Sequence, residues 1–334
     1  MAQIIPVTRS GAVGHYARQI ELVGAPVERL LLQAGIPPYI LDIPDAVVRL
    51  QSAHRFVELA CQNLRSEHIG LNIGLASSLD DFGPYGSNLK CCYTIGDYLK
   101  KGIASYGTLT TGERLSLTDH GSEIRFNIES PGACSAGMYQ SHLCTITVTI
   151  ASIRRFTGLQ WSPGEIGLAY KSRERLPSAE LFEASRVLTG FKYSYITIPK
   201  AILGLRLPHT GAGMNPGEFK AAATLPEDMM GLVLNQIEAL SAGGHRLKIE
   251  TIAESLAMSR RTLQRAIANR GLTYSQLLGE SRQRRAVQWL DHTNKPITEI
   301  ALDLGYTDAS NFSRAVRRRT GLSPSDFRDG VKRT

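Results

Sequence analysis

The sequence predicts a multi-domain chain. A mixed α/β N-terminal domain precedes an all-α C-terminal domain with two helix-turn-helix motifs joined by a long helix. Three observations carry this reading. A short pattern occurs twice between Ile249 and Arg328. The positive charge gathers in the same region: residues 241–334 hold 17 Lys and Arg against 9 Asp and Glu, whereas residues 1–240 hold 21 of each. In the front half, strand-like and helix-like segments are interspersed.

A chain of 334 residues has room for about two domains of ~150 residues. Hydrophobic content of 43% and charged content of 20% are ordinary for a globular protein. A net charge of +8, concentrated at the back, points to an anionic partner for that half. The five cysteines are odd in number and lack zinc-ligand spacing, which predicts buried thiols in a reducing cytoplasm. Redox sensing by the adjacent Cys91 and Cys92 is the alternative. No signal-peptide core opens the chain, and no apolar run approaches the ~20 residues of a spanning helix. A cytoplasmic protein without membrane contact is expected. No phosphate loop, metal cluster or Ser/His/Asp arrangement is present, so neither an enzyme nor a cofactor is expected.

The front domain is read over 1–208. Pro26 and Gly35 bracket VERLLLQA, the asymmetry of a helix start and stop. From Ser52 to Leu64, Phe56, Leu59, Ala60 and Leu64 share one helical face. Gly70 and Gly74 do not match a nucleotide fingerprint. Thr94 with Asp97 reads as a helix cap and acidic first turn, followed by buried Tyr98, Leu99, Ile103 and Tyr106. ERLSLTD and SEIRFNI flank Asp119-His120-Gly121 and predict a hairpin. Tyr139 to Ile153 fits both periods, since Ile146, Val148 and Ile150 alternate with threonines. Its length and the Arg154-Arg155 ending favour a helix. Strands are expected at Glu165–Tyr170 and Tyr193–Ile198, and a helix at Ala179–Leu188. The Gly- and Pro-rich segment 209–225 reads as a linker. The domain 226–334 then opens on Pro226 with a helix to about Leu240.

Within it, Ile249, Ile252, Ala253 and Leu256 of the first copy map onto Ile297, Ile300, Ala301 and Leu304 of the second. After one inserted residue, Leu263, Arg265, Ala266 and Ile267 map onto Phe312, Arg314, Ala315 and Val316. After another, Gly271 and Leu272 map onto Gly321 and Leu322. Two copies are too few for a solenoid, which needs about three. Each copy gives an apolar helical stripe, a tight break, a cap (Ser259; Thr307 or Asp308) and a second helix with polar residues outside its stripe. That is a helix-turn-helix. Tyr274 to His292 reads as one long helix holding the modules apart.

The chemistry of the exposed positions suits double-stranded DNA. Arg pairs bidentately with guanine, and Gln or Asn with adenine, from the start of a helix in the major groove. Arg317, Arg318 and Arg319, with Arg260 and Lys295, suit phosphates, as do Ser259 and Asn311 by position. A basic amphipathic helix is often only a solvated face. Two copies with arginine at the same place, Arg265 and Arg314, argue against that here.

IAESLAMSRRTLQRAI, ESRQRRAVQWL and ITEIALDLGYTDASNFSRAVRRRTGLSPSDFR resemble the DNA-binding domain of the AraC/XylS family of bacterial transcription regulators. The resemblance implies base-facing roles for Arg261, Gln264 and Arg265 in the first recognition helix, and for Ala309, Ser310, Ser313 and Arg314 in the second. Ala309 departs from the family pattern, where a polar side chain is common. It offers only apolar contact, for instance to a thymine methyl. The larger side chains of the first copy suggest that it carries more base specificity.

LLLQAGIPPYILDIPDAVVRL, HIGLNIGLA and FGPYGSNLKCCYTIGDYLKKGIASYGTL resemble the mixed α/β N-terminal ligand-binding domain of the subgroup that includes ornithine and arginine regulators. The resemblance implies a small-molecule effector, with a homodimer and RNA polymerase as further partners. Tyr106, Tyr139 and His142 are the polar pocket candidates. A front domain that only dimerises or binds a protein, without a ligand, is the alternative.

Overall fold

The computed structural model describes residues 5–132, 134–170, 180–207, 223–245, 247–306 and 308–331. The chain divides into two compact units, residues 1–229 with 255–257, and residues 230–254 with 258–334. The first is mixed α/β and the second all helical among its described residues. Residues 209–222 of the expected linker lie outside the described residues. Among the described residues, no helix is long and apolar enough to cross a membrane.

In the first unit, β1 (Val7–Arg9) leads into α1 (Ser10–Leu22) and α2 (Val27–Gln33). Then β2 (Val47–Arg49) pairs antiparallel with β1 and opens into α3 (Leu50–Leu64). Next come α4 (Ile69–Ala76), α5 (Gly83–Leu89) and α6 (Ile95–Ser105). Thr94 caps α6, its side chain accepting from the Asp97 N–H at 3.0 Å. Tyr98 and Leu99 are buried as expected, Ile103 is half-buried, and Tyr106 lies buried in the following 3-10 turn.

The main sheet collects β3 (Arg114–His120), β4 (Glu123–Glu129), β5 (Glu165–Leu168), β6 (Arg186–Thr189) and β7 (Ser194–Pro199) in the order β3-β4-β7-β5-β6. The hairpin forms, but its ladder runs on to His120 opposite Glu123, so the turn is Gly121-Ser122 rather than Asp119 to Gly121. Gly121 supplies the positive φ, and Asp119 accepts its N–H at 3.0 Å. The helix expected over Ala179–Leu188 is absent. Ala179 lies outside the described residues, Glu180–Phe182 is one 3-10 turn, and Arg186–Thr189 becomes the edge strand parallel to β5. Pairing with a neighbour distant in sequence overrides the local helical pattern there.

Between β4 and β5 runs α7 (Ala136–Thr157), resolving the ambiguous threonine-rich stretch as a helix. It buries Tyr139, Leu143, Ile146, Ile150 and Ile153, the 4-3-4-3 face. It packs against α4 so closely that a Cβ on Gly70 would lie 2.0 Å from the Gln140 carbonyl oxygen. One on Gly74 would lie 2.6 Å from the Thr147 Cβ. These glycines serve helix packing.

The second unit holds α8 (Met229–Ala242), α9 (Ile249–Ser255), α10 (Arg260–Ala268), α11 (Tyr274–His292), α12 (Ile297–Asp303), α13 (Ala309–Thr320) and α14 (Pro324–Val331). At 19 residues, α11 is about 28 Å long. Its N-terminal end holds the first copy, Tyr274 donating to the Leu247 carbonyl at 2.9 Å. Its C-terminal half enters the second core, with Ala286 and Leu290 packed among Ile300, Ala301, Leu304, Phe312 and Val316.

Candidate nucleic-acid interface and effector cavity

The two copies fold by the same local rules. In the first, the Met258 N–H reaches back to the Ala253 carbonyl at 2.9 Å, around Ala257 at φ +50°. In the second, Tyr306 reaches back to Ala301 at 3.0 Å, around Gly305 at φ +74°. Each is a left-handed helix ending that satisfies an otherwise orphaned carbonyl. The extra residue of the second copy falls after this closure, between Gly305 and the cap. Ser259 caps α10 by accepting from the Thr262 N–H at 3.1 Å, and Asp308 caps α13 by accepting from the Asn311 N–H at 2.7 Å.

Burial sorts the faces of α10 and α13. Leu263 and Ile267 are buried, whereas Arg261, Gln264 and Arg265 are exposed together on the opposite side. In α13, Phe312 and Val316 are buried, Ala309, Ser310 and Arg314 are exposed, and Ser313 is half-buried. Arg314 is braced rather than loose. Its Nη2 donates to Asn311 Oδ1 at 2.7 Å, and Asn311 Nδ2 donates to Asp308 Oδ2 at 2.6 Å. The cap therefore orients a neighbouring guanidinium, which keeps donors to spare.

The residues assigned to phosphates differ in their engagements. Arg317, Arg318 and Arg319 are exposed in the last turns of α13. Arg260 pairs with Glu250 at 2.7 Å. Lys295 pairs with Asp303 and lies 5.3 Å from the Trp289 ring centroid. Asn311 belongs to the brace, and the Ser259 hydroxyl lies 2.9 Å from that of Thr262.

The first unit holds a cavity of about 120 Å³. Of the three expected pocket residues, Tyr106 lines it, while Tyr139 and His142 do not. Tyr139 is 1% exposed, stacks on Tyr170 at 5.0 Å and lies 3.4 Å from His68 Nδ1. His142 lies between Ser194 at 2.8 Å and Ser130 at 3.1 Å. Both belong to the inward face of α7, which the helical period alone does not connect to a cavity.

The sequence reading missed Glu113, His54, Tyr16, Tyr85 and Tyr98 on the cavity wall. Glu113 opens ERLSLTD, which reads as one strand of the hairpin and nothing more, yet its side chain is 1% exposed. Tyr106 donates to its Oε2 at 3.1 Å, and Ser130 to its Oε1 at 3.4 Å. Burial raises this carboxyl to about 7 against those two hydrogen bonds. Two histidines face Oε1, His54 Nε2 at 3.6 Å and His142 Nε2 at 3.8 Å. Burial depresses them to about 4 and about 3, so both are neutral near pH 7. Burial also pushes the thiols of Cys61, Cys92, Cys134 and Cys144 up to between about 11 and about 12, which keeps them protonated and unreactive. Among the described residues, no group of three or more His, Cys, Asp or Glu could hold a metal ion.

Two helix-turn-helix modules behind a mixed α/β domain with an internal cavity define a class of DNA-binding regulator. A helix-turn-helix domain family matches residues 252–330, and the N-terminal arabinose-binding domain of AraC transcription regulators matches residues 24–207. The chain belongs to the AraC family of DNA-binding transcription regulators, proteins that are not enzymes. It is 27% identical to the ornithine utilization regulator of Pseudomonas aeruginosa, covering 98% of this chain and 97% of that one. It is 26% identical to the transcriptional regulator VqsM of the same organism, over 78% and 83%. The crystal structure of the transcriptional regulator CdpR from Pseudomonas aeruginosa aligns with 91% of this chain and 98% of its own, at 21% identity and a TM-score of 0.40.

Proposed function

We infer that this regulator reads promoter DNA with α10 and α13 in successive major grooves, under the control of a small molecule held in the front cavity. The single observation that carries the DNA reading is the matched exposure of Arg261, Gln264 and Arg265 on α10 and of Ala309, Ser310 and Arg314 on α13. Ser313, half-buried, completes the second set. Arg317, Arg318 and Arg319 contact phosphates, with Ser259, Arg260, Lys295 and Asn311 at the edges of the two modules. Lys295 and Arg260 exchange their present carboxylate partners for phosphate when DNA binds. Adjacent major-groove faces lie about 34 Å apart. The length of α11 supports a separation of that order.

The effector reading assigns residues 1–208 to sensing and 226–334 to DNA, with the front cavity as its support. The front domains also join two copies, and the DNA-bound protein meets RNA polymerase in the cytoplasm. Mapping bound sites across the genome tests this directly, because neighbouring genes then suggest effectors to titrate against the full chain. The reading expects a metabolite of those genes to change operator affinity at least severalfold. A metabolite that binds without changing it contradicts the switch. A front domain that dimerises yet binds no metabolite supports the ligand-free alternative.

A further inference from the structure

The front cavity has one strongly polar corner. Among its described lining residues there is no lysine or arginine, and the one acid is Glu113. The tyrosines Tyr16, Tyr85, Tyr98 and Tyr106 line the same space, with Tyr85 and Tyr106 edge to face at 5.9 Å. Beside the carboxyl, the buried His54 Nε2 has no hydrogen-bond partner among the described residues.

A carboxylate or phosphate ligand would add a negative charge next to Glu113 with no cation in the lining to pair with either. A zwitterionic amino acid fails on the same ground. An ammonium group is complementary twice over. It pairs with the buried carboxylate, and aromatic faces attract cations. A cavity of about 150 Å³ holds benzene, so this one, at about 120 Å³, suits at most about six non-hydrogen atoms.

Resting on the effector reading above, we propose that the cavity binds a small organic monoamine, its ammonium on Glu113 and its hydrocarbon body among the tyrosine rings. The ammonium takes acceptor positions of Glu113 beyond those that receive the Tyr106 and Ser130 hydroxyls. The groups facing that carboxyl are Tyr106, Ser130, Tyr16 from α1, His54 from α3 and His142 from α7, with the Cys134 thiol nearby. All are uncharged near neutrality. Binding a protonated amine therefore requires Glu113 to give up its proton, and affinity weakens as pH falls below about 7.

The test uses butylamine, butanol and butyrate with the full chain, read by calorimetry. Butylamine is expected to bind at least tenfold tighter than the other two, and to weaken toward tenfold per unit as pH drops below 7. Glu113→Gln should remove that preference and the pH dependence. Tyr106→Phe, which keeps the carboxyl, should retain the preference for the amine. Butyrate or butanol binding as tightly as the amine, or an amine affinity flat between pH 6 and 7, overturns the amine class but leaves an effector site. If none of the three binds, the effector reading of the cavity falls with it.

Discussion

Ala257 and Gly305 hold the same place in the two helix-turn-helix turns, and both are left-handed, at φ +50° and +74°. Glycine adopts that conformation freely, whereas an L side chain pays about 1–2 kcal/mol for it. The first turn is therefore strained where the second is not. Ala257→Gly should stabilise the chain by about 0.5–1 kcal/mol, and Gly305→Ala should destabilise it by about 1 kcal/mol or more. Urea unfolding of the full chain checks both. Equal and opposite effects of the wrong sign would mean that the turns do not set the stability of their modules.

The brace from Asp308 through Asn311 to Arg314 separates two contributions to DNA affinity. Arg265→Ala and Arg314→Ala should each cost about 1–3 kcal/mol and relax preference at the bases they read. Asn311→Ala should lower specificity at the Arg314 base, because the guanidinium loses the 2.7 Å bond that holds it. Competition binding on operator variants distinguishes these. Losses equal on every sequence would make the arginines phosphate contacts.

Arg318→Ala is expected to act differently. It should weaken binding to specific and non-specific DNA alike and reduce the salt slope by about one unit. A slope identical to that of the unaltered protein, measured over a range of salt, would remove Arg318 from the phosphate set.

Helix packing in the front unit rests on Gly70 and Gly74. Gly70→Ala drives a methyl into the Gln140 carbonyl, so α4 and α7 must separate. A destabilisation of about 3 kcal/mol or more is expected, at the upper end for overpacking. Thermal unfolding reads it, and a shift within error would show that the two helices can part easily.

Acid should loosen the same unit. His54 and His142 fall in the fold from 6.5 to about 4 and about 3, so the stability they contribute is present above pH 6.5 and is lost as pH falls. Glu113 rises from 4.5 to about 7, so its contribution runs the other way, present below 4.5 and lost as pH rises through 7. Two histidines against one carboxyl leave a net fall in stability from pH 6.5 to 4.5. Denaturation at the two pH values measures it, and equal stability would contradict the burial of these groups.

Much of this molecule is legible in the sequence where the determinants are local. The caps at Thr94 and Ser259, the bounds of α11 and the paired stripes of the two repeats all follow from side chains within one or two helical turns. The helical face of α7 is legible for the same reason, even through its run of threonines. Strand β6 is not, because Arg186–Thr189 becomes a strand by pairing with Glu165–Leu168. Nor is the cavity. Its polar corner joins Glu113, His54 and Tyr106 from three separate elements; Tyr106 is a pocket candidate from the sequence, but Glu113 and His54 each read alone as an ordinary strand or helix residue. The same limit explains Tyr139 and His142, which are buried on the right helix but do not line the cavity.

Base-by-base substitution of a bound operator, read with the full chain and with Arg265→Ala and Arg314→Ala, tests the central claim most directly. The account predicts two base-sensitive tracts about one helical turn apart, one relaxed by each variant. A single tract, or one tract relaxed by both variants, would contradict two modules reading one duplex.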